Sequence, residues 1–226
     1  MKYQQIRKFS KSQIASRTLY EKYLCQPIAN FVVALVKGTS ATPNLMTTVS
    51  LVFGVLMALS IAFIHNYWGS ILGAIFYHLR VVMDCVDGTL ARWKGMVSEK
   101  GSWWDQFVGK ICSLLLIASL IIRIYPKGFW IGVIVFILFV YSSHRLFIKT
   151  KKRYPTKEIL NRKSKTIANI YFEFARYHVF AIPFLLINRP LYVIYGFGII
   201  ELVWIIKTII CWINEFLKKA KDKNNI

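Results

Sequence analysis

Six stretches of the chain are apolar enough and long enough to read as membrane helices. The clearest, Leu45–Ile64, carries no charge at all. A bilayer core roughly 30 Å thick requires about 20 such residues per helix. The others run over Trp68–Met83, Ile111–Ile122 extended back toward Gly101, Gly128–Ile148, Ala168–Ile187 and Leu191–Ile213. The second, third and fifth carry polar residues. Ahead of all six, residues 1–16 are polar and expected to be mobile. From Arg17 to Lys37, apolar residues recur at helical spacing through Leu19, Tyr23, Leu24, Ile28, Phe31, Val32, Leu35 and Val36. Pro27 kinks or divides that run. Arg17, Glu21 and Lys22 sit among the apolar positions, which predicts an interfacial amphipathic helix rather than a span. Gly38-Thr39-Ser40-Ala41 breaks it. Thr42-Pro43-Asn44 then opens the first spanning helix, with a cap residue followed by proline at the first turn.

The expected fold is therefore an all-α integral membrane protein with six transmembrane helices and an N-terminal interfacial helix. Its divisions are a cytoplasmic N-terminal segment over 1–41, a six-helix membrane domain over 42–217 and a basic cytoplasmic tail over 218–226. No repeat, low-complexity tract or appended soluble domain interrupts it. The polar first 25 residues lack the apolar core and cleavage site of a signal peptide, so insertion relies on the first span. The 226 residues are 56% hydrophobic, which supports a membrane class over a soluble one.

A formal charge of +20 invites a nucleic-acid reading. The distribution argues against it. Lysines and arginines crowd residues 1–44, 149–165 and 218–223, while the opposite connections hold only Arg123, Lys127 and Arg189. With six spans all the basic segments fall on one side, which the positive-inside rule makes cytoplasmic. Near anionic headgroups each such charge is worth about 1 kcal/mol. The lipid bilayer, and no nucleic acid, is the expected partner of this charge. Cys25, Cys85, Cys112 and Cys211 are scattered, with no C-x-x-C pair, so disulfides are not expected.

One stretch carries chemistry. Asp84, Asp87, Gly88, Ala91, Arg92, Gly101 and Asp105 form the pattern D-x2-D-G-x2-A-R-x8-G-x3-D. Asp84 and Asp87 are three apart and Ala91 follows by four, so on a helix they share one face. Asp105 comes from the start of the next helix. Three close carboxylates repel unless a cation neutralises them. Oxygen-only ligands suit Mg²⁺ or Mn²⁺, which keep waters and bridge substrate phosphates. Gly88 and Ala91 leave room for a flat nucleotide, and Arg92 offers charge-assisted bonds to phosphate. Paired with Arg80 and Arg92, the two aspartates alone would read as helix-end carboxylates. The other in-phase positions favour a site. Arg80, one turn before Asp84, is expected to balance the aspartate charge, and Cys85 points away as a packing residue.

This pattern resembles the signature of the CDP-alcohol phosphotransferases, integral membrane enzymes that move a substituted phosphate from a CDP-alcohol to an acceptor hydroxyl. The six spans, the N-terminal surface helix and the T-P-N-x-x-T opening (Thr42, Pro43, Asn44, Thr47) are similar to that family from about residue 17 to 217. The resemblance implies divalent metal on Asp84, Asp87 and Asp105, a catalytic part for Asp105, and a nucleotide pocket lined by Gly88, Ala91, Arg92 and Gly101. It also implies a CDP-alcohol donor, an alcohol or alcohol-phosphate acceptor, release of CMP, and a homodimer as is common in the family. For Asn44 and Thr47, helix capping and substrate contact stand equal.

The family's signature ends in a further Asp four residues after the third, and here that position is Gly109. That Asp is taken to complete the metal site and accept the acceptor's proton. General-base help is typically worth about 10² to 10⁴ in rate. Its loss leaves three explanations: another group such as Glu173 or His178 serves, the acceptor needs little base, or this copy is slow or inactive. Arg145 with His144, and Arg176 with His178, are candidates for binding an anionic acceptor, although Arg145 also suits snorkelling to the interface. Glu201 and Lys207 in the last helix have no assigned role. Besides a phosphotransferase, a non-catalytic CDP-lipid or partner-binding member and a small transporter are the competing classes. No paired broken helices support the last.

Overall fold

The computed structural model describes residues 2–12, 20–150 and 178–224. Every regular element among them is helical: α1 (Lys2–Ser12), a π-helical turn at Glu21–Cys25, α2 (Gln26–Val36), α3 (Pro43–Phe63), α4 (Tyr67–Lys94), α5 (Glu99–Ile124), α6 (Phe129–Thr150), α7 (His178–Leu186) and α8 (Pro190–Asn224). α3, α4 and α5 are long and apolar enough to cross a membrane, and Phe129–Val140 and Pro190–Val203 are shorter apolar stretches.

The starts and stops follow local chemistry. Thr42 caps α3, its hydroxyl accepting from the Leu45 amide at 3.3 Å, with Pro43 in the first turn. Asn66 caps α4 through the Gly69 amide at 3.3 Å. Ser98 caps α5 through the Gly101 amide at 3.1 Å. α4 ends at Gly95, whose φ of 66° is the left-handed conformation that closes a helix with its N–H on the last carbonyls.

Four expectations change. Residues 2–12, expected to be without regular structure, form a helix in which Ile6 is buried and Phe9 meets Trp93 edge-on at 5.3 Å. The second apolar run does not stop at Met83. α4 continues through the acidic signature to Lys94, because Val81, Val82, Val86 and Leu90 give its other face an apolar stripe to bury. The last helix runs past Ile213 into the basic tail, to Asn224. Of the expected span 168–187, only α7 lies within the described residues. The expected division at Pro27 does not appear. The π-helical turn passes directly into α2 with Cys25 and Gln26 in right-handed helical conformation, and Pro27 sits in the first turn of α2, where its missing N–H costs little.

Two apolar clusters organise the packing. One joins Met57 and Ile61 of α3, Ala74 and Tyr77 of α4 and Leu116, Ile117 and Leu120 of α5 to α6, α7 and α8. The other sets Ile6, Cys25, Ala29 and Val33 against Val81, Val82, Cys85, Val86 and Leu90 of α4. Small residues let the helices approach: a Cβ on Gly54 would collide with Cys112 and one on Gly73 with Ile61. α3 packs along both α4 and α5. Arg123 gathers the α3–α4 connection, donating to the carbonyls of Ile64 at 2.7 Å and Asn66 at 2.9 Å and to Asn188 Oδ1 at 3.0 Å.

Candidate functional site

The two faces of α4 divide the work. Val81, Val82, Cys85, Val86 and Leu90 anchor it to the N-terminal helices. Asp84, Asp87, Gly88 and Ala91 project from the other side, at the three-to-four-residue spacing of one helix face. A cavity of about 260 Å³ opens there, lined by Asp87, Gly88, Ala91 and Arg92 of α4 and by Gly101, Ser102 and Asp105 of α5. Pro43, Asn44 and Thr47 from the start of α3 and Met96, Val97 and Ser98 of the α4–α5 connection complete it. Helix α3, in contact with both α4 and α5, is what brings the two halves of the signature around one space.

Six of the seven signature residues therefore share this cavity. Asp84 is the exception: it does not line the cavity and pairs with Arg80 at 3.4 Å. The expectation that Arg80 balances an aspartate holds. Asp87 is 4% exposed and receives the Thr47 hydroxyl at 2.6 Å. Thr47 thus contacts a site carboxylate, a role different from both the helix capping and the substrate contact between which its spacing did not decide. Asn44 lines the cavity, and its Oδ1 would lie 3.3 Å from a Cβ on Gly101, with Ser98 Oγ at 3.0 Å. Glycine at 101 is what that close approach of α3 and α5 requires. Cys85 is a packing residue in the apolar cluster. Lys94 holds the chain leading to α3 in place, donating to the carbonyls of Thr39 at 2.7 Å and Ala41 at 2.8 Å.

Arg176 and Glu173 lie outside the described residues. Arg145 and His144 stand on α6 and His178 opens α7, with side chains outside the described set. Glu201 of α8 is buried at 1% exposure.

Among the described residues no three His, Cys, Asp or Glu side chains are close enough to form a ready-made metal cage. The donor chemistry still fits a hard cation. Mg²⁺ is usually bound by one or two carboxylates together with substrate phosphates and water. Two cavity carboxylates, Asp87 and Asp105, meet that requirement.

A sequence model of the CDP-alcohol phosphatidyltransferase family matches residues 40–216. No curated protein matches the chain. The matched region covers most of the chain, from the connection before α3 into α8, so the protein belongs to the CDP-alcohol phosphatidyltransferase family. It is a transferase family, and the membership implies CDP-alcohol phosphotransferase chemistry.

Proposed function

We propose that the protein moves a substituted phosphate from a CDP-alcohol to the hydroxyl of an alcohol or alcohol phosphate, releasing CMP. CDP-diacylglycerol is the first donor to try, because apolar helices flank the cavity and would admit acyl chains from the bilayer. The observation that carries this reading is the one cavity holding Asp87, Gly88, Ala91, Arg92, Gly101 and Asp105.

Each residue has a part. Gly88 and Ala91 leave a shallow wall for the cytidine nucleotide. Arg92 makes charge-assisted bonds to its phosphates. Asp84, Asp87 and Asp105 are the carboxylates assigned to the divalent cation. Thr47 holds Asp87 in one orientation through the 2.6 Å hydrogen bond. When bound, Mg²⁺ or Mn²⁺ neutralises the diphosphate and so favours departure of CMP. The acceptor oxygen attacks the phosphorus that carries the alcohol, and the bond from that phosphorus to the bridging oxygen breaks. CMP leaves with the electron pair. Asp105, at the cavity wall, has its catalytic part in holding the divalent cation. The hydroxyl proton, which Gly109 cannot accept, passes to another base such as Glu173 or His178.

The chain is proposed to span the membrane six times, with both termini and the site on the cytoplasmic face. The basic segments support this side. Tyr23, Leu24, Ile28, Phe31 and Leu35 leave an exposed apolar stripe beside the buried one, which suits a helix lying in the headgroup layer. Arg145 and Arg176 are proposed to attract an anionic acceptor. The assembly is proposed to be a homodimer.

Gly109 favours a second reading, a member that binds CDP-lipid without turnover. CMP release by the detergent-purified protein with Mg²⁺ or Mn²⁺, CDP-diacylglycerol and a panel of acceptors separates the two, with Asp87→Asn as blank. Metal-dependent CMP absent from the blank supports the transferase. Retained CDP-lipid binding without CMP supports the second reading.

A further inference from the structure

The last turn of α4 has different neighbours on its two sides. Arg92 lines the cavity, while Trp93, about 100° farther round the helix, packs against the apolar cluster of the N-terminal helices. Phe9 of α1 meets the Trp93 indole edge-on at 5.3 Å. The Lys37 ammonium, just past α2, stands over the same ring at 4.9 Å from its centroid. Lys94 reaches the chain that follows, its Nζ donating to the carbonyls of Thr39 at 2.7 Å and Ala41 at 2.8 Å. The next residue, Thr42, caps α3, whose first turns present Pro43, Asn44 and Thr47 to the cavity. The N-terminal arm, α1 together with residues 20–41, therefore grips the cavity at two edges, the end of α4 and the start of α3. Arg92 stands in the last turn before Gly95, and helix ends fray unless something holds them. Phe9 and Lys37 both precede the matched residues 40–216, so this grip comes from outside the family region.

We infer that Trp93 and Lys94 are positioning residues that dock the N-terminal arm, and that the docked arm holds Arg92 and the start of α3 ready for the nucleotide. This deepens the CDP-alcohol reading above and rests on it. Neither side chain lines the cavity, so both act through their neighbours. The indole gives Phe9 and Lys37 a common surface, and the Lys94 ammonium ties the chain entering α3 to the end of α4. Linkage makes the effect reciprocal: whatever factor the docked arm adds to nucleotide affinity, the nucleotide adds to docking of the arm.

The test reads both sides of that linkage in the full-length purified protein with Mg²⁺ and CDP. Calorimetry gives the CDP affinity, and amide hydrogen exchange gives the protection of residues 2–12 with and without CDP. Phe9→Ala, which leaves every cavity residue in place, is expected to weaken CDP by about two- to tenfold, the range of one aromatic pair. Trp93→Leu, which keeps an apolar side chain in the cluster, is expected to do the same. Lys94→Met is expected to cost about tenfold for its lost charged hydrogen bonds, and Lys94→Arg to keep most of the affinity. CDP is expected to slow exchange over residues 2–12 in the wild type and not in Trp93→Leu or Lys94→Met. A purely structural or purely electrostatic part for these residues would leave that exchange indifferent to CDP. Wild-type affinity in Phe9→Ala, or exchange over residues 2–12 that ignores CDP in the wild type, overturns the inference and leaves the CDP-alcohol reading standing. No CDP bound by the wild type overturns both. If Trp93→Leu does not fold, Phe9→Ala and the wild-type exchange decide alone.

Discussion

Thr47 on α3 donates its hydroxyl to the Asp87 carboxylate on α4, Oγ1 to Oδ2 2.6 Å, with both side chains under 5% exposed. Pro43 O lies farther from the same hydroxyl, at 3.2 Å, so the single proton goes to the carboxylate. The first turn of α3 is therefore part of the acidic site and not only its neighbour. A hydrogen bond to a charged group is worth about 1.5 to 3 kcal/mol. Thr47→Val should lower CMP release by about 10- to 100-fold, while Thr47→Ser keeps most of it. Initial rates at saturating metal check this, and equal rates for Thr47→Val and wild type would refute a role for the bond.

Gly101 separates α5 from the start of α3. A methyl there would meet Ser98 Oγ at 3.0 Å and Asn44 Oδ1 at 3.3 Å. Gly101→Ala should therefore displace the α5 cap and the Asn44 amide, both at the cavity wall, and weaken CDP binding. Calorimetric titration of CDP measures it. An unchanged affinity would mean that the wall moves freely.

Gly109 is less crowded. A Cβ would stand 3.4 Å from Arg80 Nη2, an ordinary contact. Gly109→Ala should raise stability by up to about 1 kcal/mol, as glycine-to-alanine does inside a helix. Gly109→Asp would instead offer Arg80 a second carboxylate, which would share the guanidinium with Asp84. Turnover should rise. Thermal midpoints and CMP release under identical detergent conditions read the two variants, and a Gly109→Asp variant no faster than wild type would place the missing base elsewhere.

The packing of the N-terminal segment on α4 can be followed through Cys25. Burial pushes its thiol from an ordinary 9.0 up to about 12. The folded thiol keeps its proton where the unfolded one has lost it. The stabilising contribution is therefore present below pH 9 and lost as pH rises toward 12. Maleimide labelling of Cys25 at neutral pH should be slow in the folded protein and fast once the segment detaches. The thermal midpoint should fall between about pH 9 and about 11, and a Cys25→Ala variant should show a shallower fall. Rapid labelling of the native protein would contradict the buried placement.

The apolar run at Leu45–Ile64 predicts α3 to within two residues at its start and one at its end, because length, apolarity and the Thr42-Pro43 cap are all local to the run. The signature residues share a face for the same reason, since three- and four-residue spacings act within one helix. Local spacing did not reveal how far α4 extends. Its continuation through Asp84 and Asp87 depends on Cys25, Ala29 and Val33 covering the opposite face, far away in the chain. The placement of residues 2–12 likewise depends on Phe9 meeting Trp93.

Periodicity marked which residues of one helix lie together, and with it the identity of the acidic cluster. Which carboxylate faces the cavity was decided by packing. Thr47 reaches Asp87, and Arg80 passes Asp84 to stand against Gly109, only because α3 lies along both α4 and α5 and Gly109 leaves room on α5. Such contacts depend on side-chain length and helix approach across the fold, which no spacing within a single helix encodes.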